Sequence, residues 1–75
     1  MPLVNVKVLE GALTETQKQE LIANLTQAVV NVYGEGLRPH TWVLVEDVRS
    51  GEWGIGGNAI TLDLVKQLMD TPAPA

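Results

Sequence analysis

The order of hydrophobic patterns in the first two thirds of the chain most constrains its fold. Apolar residues at positions 3, 4, 6, 8 and 9 predict a first strand that is covered on most of both faces. A long amphipathic pattern follows, and residues 41–48, with four consecutive apolar residues from Trp42 to Val45, predict a second strand. A strand, a long helix and a strand form a βαβ unit, in which the two strands run parallel and the crossover is right-handed.

The central pattern predicts a helix that begins at Thr14 and runs to about Tyr33. Thr14 is followed three residues later by Gln17, which matches the capping box of a helix N-terminus. Glycines at positions 34 and 36 end the helix, and Pro39 prevents its resumption. The apolar residues spaced three and four apart form one stripe, which predicts a helix that lies on the sheet: Leu21, Ile22, Leu25, Ala28, Val29 and Val32.

The last third of the chain predicts a hairpin, a short helix and a tail. Residues 50–58 hold four glycines, which favours a tight hairpin, and residues 61–69 form a helical pattern with Thr61 or Asn58 as its cap. Residues 71–75 predict a flexible tail behind a single α/β domain of residues 1–70. Two strands alone make no stable sheet, so we expect the unit to dimerise into a four-stranded sheet.

The size of the chain also favours association. A domain of 75 residues buries only about 60 to 65 % of the surface of its unfolded form, which leaves its stability marginal. The sequence has no cysteine and one histidine, His40, so neither disulfides nor a metal site of several histidines or thiolates is available for support. With 45% hydrophobic residues, the chain is expected to cover its surplus apolar surface with identical subunits.

The charge balance indicates which partners to expect. The net charge is -4, and the five lysines and arginines are scattered rather than clustered, which argues against binding to nucleic acid. No apolar run approaches the length of about 18 to 20 residues that spans a bilayer, and no charged segment precedes an apolar run at the N-terminus. We therefore expect a cytoplasmic protein that does not bind a membrane.

Pro2 is the residue with the most specific chemical potential. Removal of Met1, which we expect before a small residue, leaves Pro2 with a free secondary amine at the start of an apolar strand. Burial in an apolar pocket disfavours the charged form of an amine and lowers its pKa, so this nitrogen could act as a general base. The alternative is that Pro2 simply begins a strand, where its missing amide hydrogen is harmless.

Two segments together resemble the 4-oxalocrotonate tautomerase family of small keto-enol isomerases. One is the run from Pro2 to Gly11 and the other is Trp53-Gly54-Ile55-Gly56-Gly57, and the resemblance spans about residues 2 to 69. It implies a tautomerase without cofactor or metal, in which Pro2 is the catalytic base and Trp53 lines the pocket around it. It also implies a homo-oligomer, a hexamer in the family, with sites where subunits meet.

The sequence departs from the family at its substrate-binding arginines. In the resembled enzymes one arginine follows the Glu-Gly that ends the first strand, where this chain has Ala12 and Leu13. A second lies in the second strand, where this chain has Trp42. The arginine pair holds a dicarboxylate, so Trp42 is expected to make the pocket more apolar and to favour an aromatic or monocarboxylate substrate. Nearby residues that could substitute, or could simply be solvated, are Arg38, His40 and Arg49.

The resulting interpretation is a tautomerase that acts on a 2-hydroxy-dienoate or on an enolised 2-oxo acid such as phenylpyruvate. Its site residues would be Pro2 as catalytic base and Trp53, Trp42 and His40 as substrate-binding residues. One alternative is a catalytically silent subunit that completes a hetero-oligomeric site beside an arginine-bearing relative. The other is a hydratase or dehalogenase of unsaturated acids, in which Glu52 would activate water.

Overall fold

The strand, helix and strand expected from the sequence form in that order. The computed structural model describes residues 1–72. Its elements are β1 (Leu3–Leu9), α1 (Glu15–Tyr33), a 3₁₀ helix (Glu35–His40), β2 (Trp42–Val48), β3 (Trp53–Ile55), β4 (Asn58–Ile60) and α2 (Leu62–Met69). The predicted α/β class, with one βαβ unit and a C-terminal hairpin, is confirmed. Residues 73–75 of the predicted tail lie outside the described residues, so the tail remains a prediction.

β1 and β2 form a two-stranded parallel sheet, paired from Leu3 opposite Trp42 to Leu9 opposite Val48. Side chains alternate between the two faces of a strand. One face carries half-buried valines at positions 4, 6, 8, 43 and 45. The same face carries Asp47, whose carboxylate meets the Lys18 ammonium of α1 at 2.8 Å, so this is the face that the helix covers. The other face, which includes Leu3, Trp42 and Leu44, is open to solvent.

The start of α1 follows the predicted capping box. The Thr14 hydroxyl accepts a hydrogen bond from the Gln17 amide at 3.2 Å, and the Thr14 amide donates to the Gln17 side-chain oxygen at 2.9 Å. These two bonds satisfy backbone donors that the first turn leaves unpaired. The helix ends at Gly34, which has a φ of 99° and donates its amide hydrogen to the Val30 carbonyl oxygen at 2.7 Å.

The buried face of α1 differs from the predicted stripe at its C-terminal end. Val30, which lies outside that stripe, is 5% exposed, whereas Val32, a member of it, is 86% exposed. Val32 lies in the last turn of α1, whereas Leu25 and Val29, earlier in the stripe, are half-buried. The C-terminal end of the stripe therefore remains open within one chain.

A 3₁₀ helix occupies the segment in which the sequence predicted only a break between α1 and β2. The Arg38 guanidinium donates to the Glu35 carboxylate at 2.6 Å and to the Gln27 side-chain oxygen of α1 at 2.6 Å. The hydrogen bond from Arg38 holds the pKa of Glu35 below its usual value. These contacts fasten the 3₁₀ helix to α1, so the chain enters β2 from a fixed direction.

The glycine-rich segment forms the predicted hairpin. β3 and β4 pair antiparallel, with Trp53 opposite Ile60. Gly56 and Gly57 make the turn with φ values of 58° and 82°, the positive values that a two-residue hairpin turn of type I′ requires. Thr61 caps α2 by accepting a hydrogen bond from the Leu64 amide at 3.3 Å, which decides between the two caps considered from the sequence.

Little of the chain is fully buried. Among residues 1–72, the buried hydrophobic side chains are Leu9 and Val30. The accessible surface is 5637 Å², whereas a compact monomer of this mass exposes about 4,500 Å². The radius of gyration is 14.9 Å, against about 11 Å for a compact domain of this length. No helix within the described residues combines the length and the apolarity needed to cross a membrane.

Candidate active site

A cleft of about 220 Å³ lies beside Pro2, at the N-terminal end of the sheet. It is lined by Met1, Pro2, Leu3 and Trp42. The Trp42 amide donates a hydrogen bond to the Pro2 carbonyl oxygen at 3.0 Å, and the Trp42 side chain remains 61% exposed. Backbone pairing therefore fixes the indole next to the proline and leaves most of its surface available to another molecule.

The position of Trp42 follows from the parallel topology. Parallel strands have their N-terminal ends at the same edge of the sheet, so the first residues of β1 and β2 are neighbours. The register places Trp42 opposite Leu3, one residue after Pro2. Met1 precedes Pro2 in this chain, so the Pro2 nitrogen is here part of a peptide bond.

A second, larger cavity of about 410 Å³ lies near the opposite end of β1. The turn after β1 shapes one wall of this cavity. Gly11 has a φ of 85°, and a Cβ atom there would lie 3.0 Å from the Leu62 side chain, so the turn packs closely against α2. All residues that line the cavity are apolar: Val8, Leu9, Ala12, Leu13, Trp53, Ile55, Ile60, Val65, Leu68 and Met69.

The two sites lie apart within one chain. Trp53 lines the cavity with Val8 and Leu9, and Pro2 precedes the first residue of β1, so about 20 Å of extended strand separates the two ends. One chain therefore brings Trp42, but not Trp53, to Pro2. A pocket that contains both Pro2 and Trp53 needs a second copy of the chain.

The remaining candidate residues occupy other positions. His40 ends the 3₁₀ helix, is exposed, and does not line the Pro2 cleft. Arg38 is engaged by Glu35 and Gln27, as described above. Arg49 lies with Glu10 in a polar cleft beside α2.

Glu52 is exposed at the start of the hairpin and lies in a cleft with Lys7 and Trp53. The carboxylate considered for water activation is thus next to the tryptophan but not in the Pro2 cleft. Within residues 1–72, no three histidine, cysteine or carboxylate side chains are grouped so that they could hold a metal ion.

Sequence reasoning did not identify the large apolar cavity. Its walls come from the turn after β1, from the hairpin and from α2, which touch only in the folded chain. The sequence of α2 did indicate an apolar helix face, because Val65, Leu68 and Met69 lie three and four residues apart. The predicted pocket residue Trp53 does line this cavity.

The family model described as Tautomerase enzyme matches residues 2–63. The chain belongs to the tautomerase family. A probable tautomerase of Dickeya dadantii is 38% identical over 61 residues, which cover 81% of this chain and 90% of the relative. The resemblance drawn from the Pro2 and Trp53 segments is therefore confirmed, and so is the predicted class of enzyme.

Solved structures agree with this assignment. The crystal structure of apo unFused 4-OT has a TM-score of 0.72 and 30% identity, and the match covers 79% of this tautomerase and 93% of that chain. DmpI from Helicobacter pylori has a TM-score of 0.70 and 30% identity, with 79% and 95% of the two chains covered. The βαβ unit with its C-terminal hairpin is thus the fold that this tautomerase shares with solved 4-oxalocrotonate tautomerase structures.

Proposed function

We propose that this tautomerase converts an enol acid, either a 2-hydroxy-dienoate or an enolised 2-oxo acid, into its keto form with Pro2 as the general base and without a cofactor. The position of Pro2 is the observation that carries the proposal. Pro2 directly precedes β1, shares a cleft with the exposed Trp42, and is held to β2 by a backbone hydrogen bond. A base anchored on a sheet keeps its orientation toward the substrate, and this lowers the entropic part of the activation barrier.

The proposed reaction moves one proton and changes no oxidation state. The Pro2 nitrogen accepts the proton of the enol hydroxyl as the C=O bond forms, and the resulting ammonium delivers a proton to carbon as the C=C bond is lost. The nitrogen must be a free amine for this step, because an amide nitrogen has no basic lone pair. If a second copy covers this cleft, desolvation beside Leu3 and Trp42 would favour the neutral amine over its protonated form.

We further propose that the active form is a homo-oligomer that begins with pairing of the β1 edges. β1 lies at the edge of a two-stranded sheet and has a free side for a further strand. Antiparallel pairing of two β1 strands about a two-fold axis would bring Pro2 of one copy to the far end of β1 in the other. Pro2 would then lie beside the partner's Trp53, and further assembly to a hexamer would cover the open sheet face.

The test combines intact-mass measurement with a kinetic assay of phenylpyruvate enol decay. We expect activity to increase with the fraction of protein that lacks Met1. Processed Pro2→Ala replaces the rigid secondary amine with a primary amine, so kcat/KM should fall by up to about 100-fold, the order that a positioned general base contributes. Full activity in protein that retains Met1, or unchanged kinetics in processed Pro2→Ala, would remove the proline from the mechanism.

The same assay decides the alternatives. Apolar residues stand where the resembled enzymes have arginines, namely Ala12 and Leu13 after β1 and Trp42 in β2, and this favours a silent subunit as the second candidate. A silent subunit would show no activity as a purified homo-oligomer and would gain activity only beside an arginine-bearing relative. A dehalogenase or hydratase would instead release halide from a halogenated unsaturated acid or form a hydrated product.

A further inference from the structure

The large cavity at the end of β1 is lined by apolar side chains alone. Each residue that lines it is apolar, and the residues nearest the turn after β1 are Leu9, Ala12 and Leu13. A carboxylate that entered this space would lose its water and find no cationic side chain, with the indole N–H of Trp53 as the one donor among the lining side chains, which is energetically costly. The part of a ligand that enters the cavity must therefore be uncharged and apolar.

The size of the cavity suits a ring or a branched chain. Its volume is about 410 Å³, within the range of about 300 to 1,000 Å³ that is typical of ligand pockets. A much smaller apolar cavity of about 150 Å³ already accepts benzene in another protein. Trp53 supplies an aromatic surface on which a planar group can stack.

The cavity is also accessible from outside. Leu68 is 60% exposed and Ile55 is 61% exposed, so the space opens to the surface between the hairpin and α2. An antiparallel pairing of β1 edges, as proposed above, brings the Pro2 end of a second copy to this region. A ligand with its apolar group in the cavity would then present its polar end toward the proline.

We propose that this cavity binds the apolar group of the substrate, so that the enzyme prefers enols with one carboxylate and an aromatic or branched apolar group over dicarboxylate enols. This inference rests on the proposed tautomerase function. It assigns specificity to a wall formed by Ala12, Leu13 and Trp53. The carboxylate of the substrate remains at the mouth of the cavity and keeps part of its hydration.

The kinetic experiment compares the enol of phenylpyruvate with the dicarboxylate 2-hydroxymuconate. We expect wild type to have the higher kcat/KM for the aryl enol by about tenfold or more, the scale of discrimination that an apolar pocket achieves. Ala12→Arg, which adds a cation to the cavity wall, should shift this ratio toward the dicarboxylate by about tenfold. Ala23→Arg is the matched control, because Ala23 is exposed on α1 and does not line the cavity, and it should leave the ratio unchanged.

Preference of wild type for the dicarboxylate, or an equal ratio in Ala12→Arg and wild type, would overturn the inference. Thermal unfolding of each variant shows whether Ala12→Arg is folded. If it is not, the wild-type ratio and the binding measurement below decide the question. Absence of turnover of both enols by wild type would contradict the proposed function and not the cavity assignment.

A binding measurement tests the cavity without turnover. The sequence has two tryptophans, so Trp42→Phe leaves Trp53 as the only indole and as a fluorescent reporter inside the cavity. Cinnamate, an unreactive aryl monocarboxylate, should change the Trp53 emission in a saturable way, and cis,cis-muconate should not. Equal responses to both acids, or no response to cinnamate, would contradict an apolar ligand site.

Discussion

Trp42 lines the same cleft as Pro2, and its environment separates a role in binding from a role in folding. Its backbone amide holds β2 to the residue that carries the proposed base, whereas its indole is 61% exposed. A large aromatic surface that remains open beside a candidate base is a contact area for a ligand or a second subunit. Truncation of the indole therefore removes contact area without opening a core.

For Trp42→Ala we expect kcat/KM for phenylpyruvate enol to fall about tenfold, while the free energy of unfolding of the dissociated chain, in which Trp42 is exposed, changes by only about 0.5 kcal/mol. Leu44→Ala is the control, since Leu44 lies two residues further on the same open face of β2 and is 45% exposed. Steady-state kinetics and chemical denaturation check both variants. If both variants lost the same amount of kcat/KM, the loss would come from a change to the open sheet face and not from removal of the indole.

At the scale of the elements, the sheet and α1 are held together by a narrow apolar contact. The half-buried valines of β1 and β2 lie on the face that α1 covers, over a sheet only two strands wide, and Val30 is the buried residue of the helix. The Lys18–Asp47 ion pair spans the same contact, but side-chain exposures of 27% and 36% limit its contribution. Apolar burial at positions such as Val30 is thus the larger stabilising contribution.

Two valines of α1 test this conclusion. Val30→Ala should lower the free energy of unfolding by about 1 to 3 kcal/mol, because it removes buried methyl groups and leaves a cavity. Val32→Ala makes the same chemical change at a site that is 86% exposed in the single chain and should cost less than about 0.5 kcal/mol. Urea denaturation measures both. A larger loss for Val32→Ala would mean that another subunit covers this side of α1.

At the scale of the whole molecule, one chain leaves too much apolar surface uncovered. The exposed large hydrophobic residues include Leu3, Trp42 and Leu44 on the open sheet face. Oligomerisation would cover this face and would also supply the edge of β1 with a neighbour. Pairing of the β1 edges, as proposed above, would unite the Pro2 cleft with the Trp53 cavity, so activity would depend on assembly.

Sedimentation velocity at low micromolar concentration should therefore show several subunits, up to a hexamer, and no stable monomer. Leu44→Asp, which places a charge on the open face, should shift the distribution toward smaller species and reduce activity in parallel. Asn24→Asp, an exposed change on α1, controls for the added charge. A monodisperse and active monomer would contradict the requirement for a second copy in the site.

Local patterns in the sequence determined the elements. The Thr14–Gln17 capping box, the valine-rich strands and the Gly56-Gly57 turn each act through contacts within a few residues, so their identity and order are readable without a structure. The pairing of strands across a helix of this length also follows from general rules of chain connection. Family membership followed from two short segments, because their residues match in kind and in order.

Only the tertiary structure decided which residues meet. Parallel register put Trp42 beside Pro2, and packing of the turn after β1 against α2 created the apolar cavity around Trp53. The 3₁₀ helix was not predicted because hydrogen bonds from Arg38 to α1 stabilise it, and those bonds depend on how the chain folds back. The separation of Pro2 from Trp53 is likewise a distance along a rigid strand, which places the two residues near opposite ends of β1 and out of each other's reach within one chain.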